Sequence, residues 1–163
     1  MLLFLSFLFP ALIIAAAAYD VSTFKIPNRL TAIMLVTWPL AAFAIGMPAV
    51  QWALSGIMAG IVFLGAFGIF AAGWFGAGDA KLLPVVALWV GPTNVFPFLI
   101  YTALAGAVVS IVMMGVRSRP LPVWGYKVGW LVELHGRERD IPYGLAIAVA
   151  ALILWPKTAF FGF

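Results

Sequence analysis

Long runs of residues without a charged side chain dominate the hydrophobic pattern of the chain. The first run covers residues 1–19, the second residues 30–78 and the third residues 82–116, and a shorter one covers residues 141–155. A transmembrane helix needs about 20 such residues to cross a hydrocarbon core of about 30 Å. The pattern therefore predicts several membrane-spanning helices.

Turn residues divide the two longest runs. Gly and Pro at residues 46–48 split the second run, and residues 91–94, Gly-Pro-Thr-Asn, split the third. The piece before the second break, residues 80–90, would extend only about 17 Å at 1.5 Å per residue, about half a membrane. We therefore predict an all-α, polytopic integral membrane protein of about six transmembrane helices, with a short fourth helix that starts at Asp79. The predicted spans are residues 1–19, 30–45, 51–72, 80–90, 95–116 and 141–155.

The composition agrees with a bilayer environment. Hydrophobic residues make up 66% of the 163 residues and charged residues only 9%, whereas soluble domains average about 45–50% and about 25%. Without cysteine, the chain has no disulfide, thiolate metal site or Cys nucleophile, and its one histidine, His135, cannot form a multi-His metal site. We therefore expect no metal and no cofactor.

The Lys and Arg residues are distributed unevenly between the two sets of loops. Eight of the nine follow predicted spans one, three and five, and only Lys157 falls on the opposite side. By the positive-inside rule, the eight face the cytoplasm and both termini do not, so the net charge of +4 gives no reason to expect a nucleic-acid partner. We expect one membrane-embedded domain over residues 1–163. Its cytoplasmic loop, residues 117–141, is either an amphipathic element at the membrane surface or a tether.

Two of the five acidic residues lie beside apolar runs rather than in the polar loop. Asp20 directly follows the first run, and Asp79 follows a glycine-rich turn. An ionisable residue at membrane depth is costly and suggests function. Because spans one and three end on the same side, we expect both carboxylates on one face. Two neighbouring carboxylates share a proton, so that one activates water and the other protonates a carbonyl, as in an aspartic peptidase.

Each aspartate also has a purely structural interpretation. Asp79 is a suitable cap for the fourth helix, with Lys81 reaching lipid headgroups, and Asp20 is compatible with an interfacial charge that ends a helix. In the segment after Asp20, Pro27 restricts the backbone and Asn28 is predicted to cap helix two. The turn between the first two helices should therefore be short and rigid.

Both aspartates lie within recognisable motifs. Asp20 precedes Ile-Pro-Asn at residues 26–28, and Asp79 belongs to Gly-Ala-Gly-Asp-Ala-Lys at residues 76–81. In this order the motifs resemble those of the type IV prepilin peptidase family, and Ile-Pro-Tyr-Gly at residues 141–144 looks like the family's C-terminal signature. The resemblance implies a membrane-embedded aspartic endopeptidase with Asp20 and Asp79 as its catalytic pair. The supporting residues that it implies are Gly76, Gly78, Lys81, Pro27 and Asn28.

The resemblance also implies a substrate and a compartment. Members of the family lie in the bacterial inner membrane and cleave prepilins or pseudopilins on the cytoplasmic side. They remove a short basic leader that precedes a hydrophobic helix. This chain is short and lacks the cysteine-rich cytoplasmic insert of larger members, so it resembles the compact form that serves tight-adherence (Flp-type) pili. Zinc binding and N-methylation of the mature pilin are then not expected.

Other functions fit parts of the same sequence. A small transporter would use Asp20 and Asp79 to bind a proton or cation, although no inverted repeat is visible. A non-catalytic subunit of a pilus or secretion machine would use neither carboxylate. Presenilin-type proteases share Tyr-Asp and Gly-x-Gly-Asp, but their Pro-Ala-Leu motif lies near the C-terminus, and here it covers residues 10–12. An assay of leader cleavage separates these functions.

Overall fold

The computed structural model describes residues 2–118, 120, 127–136 and 141–161. Every regular element within these residues is helical, which confirms the predicted all-α class for this part of the chain. Two short 3-10 turns, Pro92–Asn94 and Trp155–Lys157, follow the fourth and the last helix. The α-helices are α1 (Leu2–Thr23), α2 (Asn28–Ala44), α3 (Ala49–Ala71), α4 (Ala77–Val90), α5 (Val95–Arg117), α6 (Gly129–Gly136) and α7 (Tyr143–Leu154).

Two local predictions about helix starts are wrong. Helix α4 begins at Ala77 rather than at Asp79, because the extended backbone of Gly76 already serves as its N-cap. Asp79 is therefore the third residue of this helix. Asn28 does not cap α2: Pro27 occupies the N-cap position, with a φ of −59°, and no side chain caps the helix there. The ring of Pro27 fixes the backbone at the helix entry, which leaves the Asn28 side chain available for another contact.

The short helix α4 is the most buried element among the described residues. Eleven of its 14 residues are buried, and it packs against α2, α3, α5 and α7. At its C-terminal end Trp89 is fully buried, and its Nε1 donates to the backbone oxygen of Met34 at 2.9 Å. The rings of Phe9 and Phe160 pack against Trp89, each with a centroid separation of 4.9–5.0 Å. These contacts hold the end of α4 that lies farthest from Asp79.

The outer helices carry large apolar surfaces. Two segments, Ala49–Ala71 and Pro92–Arg117, are long and apolar enough to cross a membrane, and only 22% of each is buried within the protein. Exposed apolar faces of this extent are unusual on soluble monomers. Two further apolar stretches are shorter: Phe7–Thr23, which belongs to α1, and Tyr143–Lys157, which comprises α7 and the 3-10 turn after it. These features fit a membrane protein, and the arrangement of six spans stays a prediction.

Part of the predicted cytoplasmic loop is folded. Helix α6 (Gly129–Gly136) lies within it and next to α1 and α5. The flanking residues 121–126 and 137–140 are outside the described part of the chain. The loop therefore contains at least one ordered element that approaches α1.

The predicted orientation places the two ends of α2 on opposite sides of the membrane. Arg29 and Ala49 are exposed near these ends, and the chain has no native cysteine to interfere with labelling. We expect Arg29→Cys to resist a membrane-impermeant maleimide in intact cells and to react in inverted vesicles. Ala49→Cys should show the opposite pattern, and labelling of both residues from one side would contradict the topology.

Candidate active site

Asp20 lies in the last turn of α1 and is 6% exposed. Its Oδ2 accepts a hydrogen bond from the backbone N–H of Gly144 at 2.7 Å. Gly144 is the second residue of α7, where backbone N–H groups have no partner within the helix. A Cβ at this position would lie 2.8 Å from the same Oδ2. Glycine at residue 144 therefore lets the start of α7 donate directly to the Asp20 carboxylate.

Asp79 lies in the first turn of α4 and is 7% exposed. Its carboxylate lies close to Gly76, the N-cap residue of α4, as an acid in the first turn does in a capping box. Its Oδ1 is buried without a hydrogen-bond partner among the described residues. Helix capping thus explains the surroundings of only one carboxylate oxygen. The burial of the unpartnered Oδ1 needs another explanation.

Both carboxylates line the same cleft, of about 680 Å³. The charge of Asp20 acts on Asp79 across this cleft, so the two groups interact electrostatically. The cleft is formed by the turn after α1, the glycine-containing segment before α4 and the start of α7. Three segments that are far apart in the sequence therefore meet around the two acids.

Lys81 connects two of these segments. Its Nζ donates to the backbone oxygen of Ile26 and to Oδ1 of Asn28. The interpretation in which this ammonium reaches lipid headgroups is therefore wrong, because the side chain contacts the turn between α1 and α2. Gly78 lies against the side chain of Ile26, and a Cβ added at Gly78 would be 3.4 Å from it. Lys81 and Gly78 together hold the turn against the first turns of α4.

Two glycines of the site have roles that the sequence did not indicate. Gly144 approaches Asp20, and Gly106 of α5 lies under the ring of Tyr143, where a Cβ would be only 2.5 Å from Cε1. The Tyr143 ring also packs near Phe75, with centroids 5.6 Å apart. The chain has 16 glycines, and at most of the described helical ones an added Cβ would have nothing within 4 Å. The signature at residues 141–144 includes Gly144, but no local pattern marks Gly106 or assigns either glycine to its partner.

The two carboxylates are the acidic groups that line the cleft. Within the described residues no three His, Cys, Asp or Glu side chains are grouped to hold a metal ion. Two interacting carboxylates, one of them with an unpartnered oxygen, can instead orient a water molecule and exchange protons with it.

The close approach of Gly144 predicts an effect on stability. Gly144→Ala should lower the thermal midpoint of the detergent-solubilised protein, since the new Cβ collides with Asp20 at a cost of about 1–3 kcal/mol. Gly115→Ala in α5 is the matched control, because nothing lies within 4 Å of the position that its Cβ would take. The control should keep or raise the midpoint through its helix propensity. Equal midpoints for the two variants would contradict the contact.

Comparison with known proteins places the chain in a family. The model of the type IV leader peptidase family matches residues 7–111, more than half of the chain. The matched region includes both aspartates and ends within α5, before α7 and Gly144. Neither the curated proteins nor the solved structures contain a significant match. The resemblance seen in the motifs is thus confirmed, and the chain belongs to the type IV leader peptidase family.

Proposed function

We propose that the chain is a membrane-embedded aspartic endopeptidase that uses Asp20 and Asp79 to hydrolyse a leader peptide bond. Membership of a leader peptidase family supports the peptidase activity. The observation that carries the aspartic mechanism is the buried, unpartnered Oδ1 of Asp79 in the cleft that also contains Asp20. A carboxylate used only to cap a helix has no need of a second acid beside it.

The proposed mechanism assigns a different role to each carboxylate. Asp20, which already accepts the Gly144 N–H on one oxygen, serves as the general base and takes a proton from a water molecule. The water oxygen attacks the scissile carbonyl carbon while protonated Asp79 gives its proton to the carbonyl oxygen. The C–N bond then breaks, Asp20 returns its proton to the leaving amine, and Asp79 recovers one from a hydroxyl of the tetrahedral intermediate.

The proposed substrate is a prepilin or pseudopilin with a short basic leader followed by a hydrophobic helix. The family match supports a leader peptide as the target. The 163 residues contain no cysteine, and this supports the Flp-type branch of the family and a reaction limited to cleavage. In this proposal one domain lies in the lipid of the bacterial inner membrane, with the cleft and the loop of residues 117–141 facing the cytoplasm.

Supporting residues in this proposal act on the shape of the site. Gly76 closely approaches the Asp79 carboxylate, and Gly78 lies against the side chain of Ile26. Pro27 and Asn28 form the turn that Lys81 holds. These residues position the two carboxylates, and none of them needs to exchange a proton with the substrate.

Conversion of either aspartate to its amide should abolish cleavage. Asp20→Asn and Asp79→Asn keep the side-chain size but remove the titratable oxygen, so each should lower the rate by at least about a thousandfold. The double variant should be hardly worse than either single variant, since the pair acts as one unit. The products of a synthetic basic leader joined to a hydrophobic helix are to be measured by mass spectrometry in proteoliposomes.

Glu138→Gln, which changes an acid of the polar loop, is the control for the amide substitutions and should cleave normally. Substantial cleavage by either aspartate variant would overturn the aspartic mechanism. A transporter would lose ion flux on these substitutions, and even the unaltered protein would yield no peptide product. An assembly subunit would likewise yield none.

Strong chelators should leave the proposed activity unchanged. An aspartic peptidase activates water with carboxylates, and the chain offers no cysteine and one histidine as softer metal ligands. The rate should be the same before and after treatment with 1,10-phenanthroline and with EDTA. Inhibition that added zinc reverses would move the reaction to a metallopeptidase mechanism.

A further inference from the structure

Phe24 has an unusual backbone conformation beside the active-site cleft. It directly follows α1 with a φ of +53°, and it is the only non-glycine residue of the described chain with a positive φ. Its N–H donates to the backbone oxygen of Asp20 at 2.8 Å, which closes the end of the helix. Helix ends of this kind usually use glycine, because a Cβ makes the left-handed conformation unfavourable. An aromatic residue therefore occupies a position where the backbone conformation favours glycine.

The Phe24 side chain is half-buried and lines the cleft that holds the two carboxylates. Phe75 and Tyr143 line the same cleft from the other two segments. Each of the three segments around the carboxylates thus contributes an aromatic ring. Backbone strain that the fold retains beside a reactive group is a recognised feature of functional sites. The strain at Phe24 is explained if its ring is needed in the cleft.

Charge indicates which part of a substrate meets Phe24. Lys25, the next residue, is exposed and lines the same cleft. A basic leader would meet a like charge on this side, and such contacts are unfavourable. An apolar side chain would instead lose contact with water and pack against the ring. The apolar residues that follow the cleavage point are therefore better suited than the basic leader to pack against the Phe24 ring.

We propose that Phe24 is a specificity-determining residue whose ring receives the apolar side chain directly after the scissile bond. This inference rests on the proposed peptidase function. Phe24 lies one helical turn beyond Asp20 and lines the same cleft, so the ring and the carboxylate act on adjacent parts of the same peptide. Phe24 contacts substrate but takes no part in proton transfer.

The test compares Phe24→Gly with the unaltered protein. Three synthetic substrates, each a short basic leader joined to a hydrophobic helix, carry Leu, Val or Ala directly after the cleavage point. The unaltered protein should prefer Leu over Ala. In Phe24→Gly the preference should fall by about tenfold, mainly through a higher KM for the Leu substrate, since loss of apolar contact in a pocket changes selectivity by this order. The thermal midpoint is measured in parallel, because glycine relieves the backbone strain while loss of the ring removes its packing.

Two further variants separate the ring from the backbone. Phe24→Asn also tolerates the left-handed conformation but is polar, so it should lose the preference for Leu as Phe24→Gly does. Phe24→Leu keeps an apolar side chain in the cleft and should retain most of the preference for the Leu substrate. A merely structural role would lower kcat for all three substrates together and leave their ratio unchanged.

The outcomes distinguish this inference from the proposed function. Cleavage by the unaltered protein, with the same Leu-to-Ala ratio in Phe24→Gly and Phe24→Asn, would overturn the role of Phe24 and leave the peptidase function standing. Absence of cleavage of every peptide by the unaltered protein would overturn both. A reduced ratio in Phe24→Gly and Phe24→Asn, together with a retained ratio in Phe24→Leu, supports the assignment.

Discussion

A carboxylate buried among apolar helices is strongly unfavourable unless a hydrogen-bond donor reaches it. In this protein both acids lie at the ends of helices, where backbone N–H groups have no internal partner. Asp20 accepts a hydrogen bond from the start of α7, and Asp79 lies against the N-cap residue of α4. The C-terminal end of α1 and the N-terminal ends of α4 and α7 therefore meet at the same place. The cleft is the space that remains between these three helix ends.

This constraint also explains why glycine occurs at two contacts of the site. In the geometry of this site, an added Cβ would lie only 2.9 Å from Oδ2 of Asp79 at Gly76 and 2.8 Å from Oδ2 of Asp20 at Gly144. Lys81 completes the arrangement from the opposite direction, since its ammonium satisfies the backbone oxygen of Ile26 in the turn after α1. Most of the polar contacts described at this end of the bundle therefore join different segments of the chain.

Local sequence rules predicted the features that depend on neighbouring residues. Charge-free runs and turn residues predicted the main helices, including a short α4, and the two aspartate motifs indicated the family. The cap predicted at Asn28 and the alternative in which Lys81 reaches lipid headgroups are both wrong, because these two side chains hydrogen-bond to each other although 53 residues separate them. The roles of Gly144 and Gly106 depend on equally distant partners, Asp20 and Tyr143. A single sequence contains no signal that selects such pairs.

The anchoring of α4 at its far end gives this helix a fixed register. Trp89 is held by Met34 and by the aromatic rings around it, and Asp79 lies ten residues earlier on the same helix. An α-helix turns about 100° and advances 1.5 Å per residue. A single inserted or deleted residue between them would rotate the carboxylate away from Asp20 while Trp89 stayed in place. Related chains can therefore be expected to vary the residue types within this segment but to keep its length.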